Sequence, residues 1–388
     1  MKKVLLRGPV YSKSGYGEHT RQILKYLLSK KIDLKIQPLN WGFTPWYIDE
    51  TDCDGLIGEA FNRTEMMPEK NFDITIQCQL PNEWDTSYGK YNVGVTAGVE
   101  TDLCNPAWSS LHVSKMDKVI VPSDFTKSAL LSNGRTTTKI EVVPEAYFGE
   151  LLNNSEYDIF EDKIDTEFNF LTVGVLTGSR PETDRKNLFF LVKWFLEAFK
   201  NDTSVGLVIK TNRGRDTTID RKATFNLLNQ VLKELNHDGT PRVYLLHGEM
   251  SREEMNSVYK SKKIKGYLSI TRGEGFGLPL LEASVAEVPV IATNWSAHTE
   301  FLNKGKWTPL SYTLKAVDDQ RIDEEIFVKG SKWAEVSEKD FKEKVVKFKK
   351  TYKTKKDHAK KLSKILKESH SINAIMKKYD KVLSGVLD

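Results

Sequence analysis

The stretch Ser269–Asn294, "SITRGEGFGLPLLEASVAEVPVIATN", decides the fold. It continues an apolar run, "GYLSI", that has the pattern of a buried strand. Gly273, Gly275 and Gly277 come next, followed by the helical run "PLLEASVAE" with Pro279 in its first turn. A glycine loop between a strand's carboxyl end and a helix's amino end is where open α/β sheets bind ligands. Unpaired amides and the positive end of the helix dipole suit a phosphate there. Missing side chains let the backbone come close. Glu282, about one turn into the helix, can accept two hydroxyl hydrogen bonds from a ribose, and Glu274 in the loop can reach another hydroxylated group. A sugar joined to a nucleotide through a diphosphate fits the whole set. The bland alternative is a tight turn that needs glycine only for geometry. The spacing G-x-G-x-G departs from the dinucleotide fingerprint, and no lysine-serine/threonine pair follows to make a P-loop.

Working outward, β-rich runs alternate with helical patterns. Strands are expected at Lys3–Arg7, Leu34–Gln37, Asp73–Gln77, Asn92–Thr96, Lys118–Val121 and Ile140–Val143. A second series is expected at Phe170–Leu176, Gly206–Lys210, Val243–His247, Gly266–Ile270 and Val288–Ala292. "GEHTRQILKYLLSK", "SDFTKSALLSN" and "NLFFLVKWFLEAFK" read as helices, the second capped by Ser123. Such alternation predicts parallel sheets covered by helices, twice over, in keeping with 388 residues. The polar segment "GELLNNSEYDIFEDKIDTEFN" reads as the linker, giving domains 1–155 and 156–368 and a last helix, 369–388.

Composition is that of a globular chain, and no apolar run approaches the roughly 20 residues that span a bilayer. "MKKVLLRGPV" reads as a first strand, not a signal peptide. Cys53, Cys78 and Cys104 share no metal-type spacing, so a reducing, cytoplasmic setting is expected. Net charge is +5, with fourteen lysines against six acids between Ser331 and His370. That bias is either a solvated helical face or a surface for polyanions such as nucleic acid or anionic lipid.

"EGFGLPLLE" resembles the E-x7-E signature of glycosyltransferase family four (group one), the retaining transferases of GT-B fold. "GSRPETDRKNLFFLVKWFLEAF" and "VPVIATNWSAHTEFL" resemble the family's flanking segments. "GPVYSKSGYGEHTRQIL", "YNVGVTAGVETDLCNPAW", "VIVPSDFTKSALL" and "EVVPEAYF" stand in family order in the first half. The resemblance, also close to bacteriophage-borne members, covers about Val4 to Phe301. It implies two Rossmann-like domains facing a cleft, the first holding the acceptor and the second the donor, with the final helix returning to the first. Glu282 would bind the ribose and Glu274 the transferred sugar. The amides of Gly275, Phe276, Gly277 and Leu278 would approach sugar and diphosphate, and Arg185 and Lys186 would neutralise the departing diphosphate. Gly15 and Gly17 would close over the donor, and Glu100 would stand on the acceptor side. The resemblance implies a nucleotide-sugar donor, UDP-glucose by family weight, with no other cofactor, and a glycan or saccharide acceptor. Hydroxymethylated DNA is the alternative acceptor, and a silent sugar-nucleotide-binding module is a third reading.

This chain departs from the family in running Arg185-Lys186-Asn187 where a lysine-glycine pair follows a separate arginine, and in Ala297 where glycine is common. Lys210 is a candidate second phosphate contact or a strand-end lysine in solvent. "NWGFTPWY" packs Trp41, Phe43, Trp46 and Tyr47 together, either anchoring a loop or stacking on an acceptor, with Tyr16 placed on the same side. Asp52-Cys53-Asp54 resembles a cation motif, but Phe61 stands where a calcium loop needs glutamate, and no metal site is expected. His298 is placed near the donor, and His19 is read as structural.

Overall fold

A computed structural model describes every residue except Ser179, Arg213, Arg215 and Asp388. The chain divides into two compact units. One comprises Met1–Ala146, Asp323–Val328 and His370–Asp388; the other comprises Tyr147–Ile322 and Lys329–Ser369.

In the first unit, β1 (Lys3–Gly8), β2 (Asp33–Pro38), β3 (Phe72–Cys78), β4 (Gly89–Val95), β5 (Lys118–Val121) and β6 (Ile140–Val142) form a parallel sheet in the order β2-β1-β3-β4-β5-β6. Helices α1 (Gly15–Leu28), α2 (Leu56–Phe61) and α3 (Asp124–Ser132) cover it. Helix α1 starts where Ser14 Oγ accepts from the Gly17 amide at 3.1 Å. Position 17 admits only glycine, because a Cβ would stand 1.9 Å from the Ser12 carbonyl oxygen. Buried Ile23, Leu24 and Leu27 then hold α1 in a core shared with Val4, Leu6 and Ile76.

In the second unit, β7 (Phe168–Val173), β8 (Val205–Thr211), β9 (Arg242–His247), β10 (Ile264–Ser269), β11 (Val290–Thr293) and β12 (Thr308–Leu310) form a parallel sheet ordered β12-β11-β10-β7-β8-β9. An antiparallel pair, β13 (Tyr312–Ala316) with β14 (Lys332–Val336), accompanies it. The helices are α4 (Leu188–Ala198), α5 (Thr218–Glu234), α6 (Arg252–Lys260), α7 (Leu278–Val285), α8 (His298–Leu302), α9 (Glu338–Lys350) and α10 (Tyr352–Ser369). Strand side chains alternate between two cores. Phe170 and Leu268 pack with α4 and α9 through Phe195 and Phe341. Leu171 and Tyr267 pack with α6, α7 and α10 through Tyr259, Leu281 and Leu362. All seven residues of β8 are buried, as a strand covered on both faces requires.

The last helix, α11 (Ile372–Leu383), groups with the first unit. Ile375, Tyr379 and Leu383 enter its core, Tyr379 stacks on Tyr26 at 5.2 Å, and its hydroxyl lies 3.1 Å from His19 Nε2.

Strand β5 has the expected bounds, and the other expected strands shift by a few residues at their ends. Three outcomes differ more. The expected boundary after residue 155 moves back to Ala146. The segment read as a linker is no free tether, because Leu151, Phe160 and Ile164 are buried in the core of the second unit. Its apolar residues are too widely spaced to show a period. The pair β13–β14 and strand β12 were not expected. The residues joining β13 to β14 carry no tight-turn signal to mark a hairpin.

Lysine-rich α10 is amphipathic. Ala359, Leu362, Ser363 and Leu366 are buried, while Lys353, Lys360, Lys361 and Lys364 are exposed. No helix among the described residues is long and apolar enough to cross a membrane.

Candidate active site

Strand β10 delivers the chain into a buried loop, Ile270–Gly277, at the carboxyl edge of the second sheet. Gly277 turns it into α7 with φ of 100°, a conformation L side chains resist, and a Cβ there would meet His298 Cβ at 3.0 Å. Pro279 occupies the first turn of α7. The backbone of Glu274 is held on both sides: its amide donates to Ser296 Oγ at 3.0 Å, and its carbonyl accepts from the Ala297 amide at 3.3 Å.

A second loop comes from β7. The buried Asp184 carboxylate organises it, accepting from the Thr177 amide and hydroxyl and from the Leu188 amide at the start of α4. Asn187 then turns the chain with φ of 59°, which asparagine tolerates. Arg185 and Lys186 precede that turn and reach the glycine loop. Lys186 Nζ donates to Glu274 Oε1 at 2.6 Å, and Arg185 Nη1 lies 3.3 Å from Glu274 Oε2. Arg185 Nη1 also donates to the Gly273 carbonyl at 2.7 Å. Two adjacent cations therefore converge on one carboxylate.

Burial pushes the Glu274 carboxyl up, but Lys186, Arg185 and His298 outweigh it and draw its pKa down to about 2. The glutamate is ionised at neutral pH. His298 is fully buried, its pKa lowered first by burial; its Nε2 lies 2.7 Å from the Thr293 carbonyl, within donating distance, and it lies under Gly277. Glu282, on α7, accepts from the hydroxyl of Tyr259, on α6, at 2.9 Å. Burial, then Glu274 and later Glu282, raises the Tyr267 phenol pKa, so both glutamates act on one ring. The Phe276 side chain turns into the core against Phe301.

Lys210 is neither in solvent nor in this cluster. Its Nζ donates to Asn212 Oδ1 at 2.6 Å and to the Gly248 carbonyl at 2.5 Å, and burial lowers its pKa.

In the first unit, Tyr16 and Trp41 stack with centroids 3.9 Å apart. The Tyr16 hydroxyl accepts from the Ala97 amide at 2.9 Å and pairs with Thr96 Oγ1 at 2.8 Å. Glu100 is near enough to add to the rise in Tyr16 pKa that burial mainly causes. Trp46 is half-exposed, packs on Tyr11 at 5.6 Å and bridges to Ser12. Gly15 and Gly17 lie in the first turn of α1. Cys53, Asp54 and Gly55 form a left-handed turn before α2, and no group of three potential ligands gathers among the described residues.

Sequence reasoning missed Asp184, Arg272, Ser296 and Tyr259. Asp184, four residues before Leu188, carried a weak helix-start signal. Arg272 carried none.

The family Glycosyl transferases group 1 matches residues 225–326. No curated protein matches the chain at a significant level. Among solved structures, Anabaena Alr3699/HepE in complex with UDP and glucose superposes with a TM-score of 0.69 at 12% identity, over 99% of this chain and 100% of that one. A glycosyltransferase from Rickettsia africae ESF-5 gives 0.67 at 13% identity, over 100% and 99%. Sucrose-phosphate synthase from Thermosynechococcus elongatus gives 0.67 at 11%, again over 100% and 99%. Residues 225–326 thus match glycosyl transferases group 1, within a chain of the GT-B fold.

Proposed function

We propose that the chain is a retaining glycosyltransferase that moves a hexose, glucose from UDP-glucose, to an acceptor hydroxyl on a glycan or saccharide. The observation that carries this reading is the convergence of Arg185 and Lys186 on Glu274 beside the amino end of α7. In the reaction, the bond from the anomeric carbon to the β-phosphate oxygen breaks. The acceptor oxygen bonds to that carbon on the same face, and its proton passes to the departing phosphate oxygen. Arg185, Lys186 and the amides at Phe276, Gly277 and Leu278 offset the charge that builds on the leaving diphosphate. No metal ion is needed in this scheme. Glu274 orients the sugar hydroxyls, and Glu282, held by Tyr259, binds the ribose. HepE, solved with UDP-glucose, supports the choice of donor.

The acceptor site in this reading belongs to the first unit, with Trp41 on Tyr16 as the stacking surface and Trp46 and Glu100 on the same side, while Gly15 and Gly17 are assigned to the donor. A second reading, transfer to hydroxymethylpyrimidine bases of DNA, is favoured by the exposed lysines of α10. Salt separates the two, because contacts to the DNA backbone weaken steeply with added salt and saccharide binding does not.

The test offers a panel of nucleotide sugars with saccharides and with hydroxymethylated DNA, and reads product mass and anomeric coupling. Gain of one hexosyl residue with retained configuration is expected. No transfer from any nucleotide sugar, or an inverted product, would overturn the reading.

A further inference from the structure

An arginine that no step of the proposed reaction uses lies wholly inside the second unit. Arg272, 2% exposed, precedes Glu274 by two residues. Its Nη1 donates to the carbonyls of Pro181 at 2.6 Å, Asp184 at 2.9 Å and Glu182 at 3.3 Å. These carbonyls belong to the loop that presents Arg185 and Lys186. The Arg272 amide donates to the Arg185 carbonyl at 2.9 Å. On its other side, Arg272 Nε donates to Glu335 Oε1 at 2.5 Å, its guanidinium lies 4.9 Å from the Trp333 ring centre, and its carbonyl accepts from the Ala334 amide at 2.9 Å. Strand β14 is thereby joined through one side chain to the loop carrying the two cations.

A buried guanidinium is costly unless its donors and charge are matched. Here three carbonyls, a carboxylate and an indole face match them, which a lysine's point charge cannot reproduce. The same contacts fix the carbonyls of Pro181, Glu182 and Asp184, the last of them just before Arg185. We propose that Arg272, braced by Glu335 and Trp333, is the positioning residue that aims Arg185 and Lys186 at the leaving diphosphate. The proposal rests on the donor reading above. It adds that β14, outside the six-stranded sheet, takes part in setting the phosphate site.

The test compares Arg272→Lys and Glu335→Gln with the wild type. Melting temperature, binding of UDP and of uridine by calorimetry, and kcat and KM for UDP-glucose are the readouts. A misplaced cation pair loses contact with phosphate and not with the nucleoside. The expected result is UDP affinity and kcat each falling roughly tenfold to a hundredfold, KM for UDP-glucose rising, and uridine affinity changed far less. Glu335→Gln, which keeps shape and a hydrogen-bonding oxygen, should lose less than Arg272→Lys. Equal loss of UDP and uridine binding, or a lowered melting temperature with kcat unchanged, would overturn the proposal while leaving the donor reading intact. Failure of the wild type to bind UDP would overturn both.

Discussion

Lys186 Nζ stands 2.6 Å from Glu274 Oε1 although 88 positions separate the two residues. With Arg185 at 3.3 Å, the glutamate is the counter-ion of a cation pair whose side chains are 10% and 16% exposed. In the proposed reaction a diphosphate takes over that role, so binding exchanges one anion for another and frees Glu274 for the sugar.

Lys186→Ala should lower kcat by roughly a hundredfold to a thousandfold, the scale expected when one preorganised charge is removed from a developing anion. Its alkyl chain lies over Gly174, and Arg185 stays beside Glu274 as a counter-charge in the variant, so the fold should persist. Steady-state kinetics with a matched circular-dichroism melt checks both parts. An unchanged kcat would remove Lys186 from the site.

Glu274→Gln separates binding from turnover. Removing the carboxylate leaves two cations unneutralised, so UDP should bind at least as tightly, while kcat falls. Stability should drop by roughly 3 kcal/mol at neutral pH. The wild-type carboxyl has a folded pKa of about 2 against 4.5 unfolded, so its contribution is present above pH 4.5 and lost as pH falls toward 2. The stability gap between variant and wild type should therefore close across that interval in melts at successive pH values. Buried His298 is coupled to Glu274, whose charge raises its pKa against burial, so it titrates differently in the two proteins and adds its own pH dependence to the gap.

Much of this arrangement is legible in the sequence, for identifiable reasons. Strand β5 reads plainly because apolar Val119, Ile120 and Val121 sit between turn signals. Ser123 caps α3 as its residue type predicts. The glycine loop is legible because Gly277 needs a positive φ. The meeting of Lys186 with Glu274 is a long-range contact that no local period encodes, and only the family resemblance suggested it. Arg272 was invisible because a lone arginine reads as solvent-facing, and its partners at Pro181, Asp184 and Glu335 lie far along the chain. Leu151, Phe160 and Ile164 were lost among polar neighbours for the same reason.

Glu282→Ala should weaken UDP binding and abolish its preference over the 2′-deoxy nucleotide. Tyr259→Phe, which removes only the hydroxyl held at 2.9 Å from Glu282, should cost about 1 kcal/mol of the same preference. Paired calorimetric titrations with both nucleotides check this. A ribose preference surviving in Glu282→Ala would move ribose recognition elsewhere.

Gly277→Ala should destabilise the second unit by about 1 to 2 kcal/mol, since the new Cβ meets a left-handed backbone and His298 Cβ at 3.0 Å. Gly15→Ala, in open space in the first unit, should leave the melt unchanged. Equal melting of both variants would contradict the strain assigned to position 277.

The most direct measurement is a crystal structure of the chain with UDP. The diphosphate should lie at the amino end of α7, with a phosphate oxygen within about 3.2 Å of Lys186 Nζ and the ribose on Glu282. A nucleotide bound away from α7, or one that leaves Lys186 paired with Glu274 and untouched, would contradict the proposed donor site.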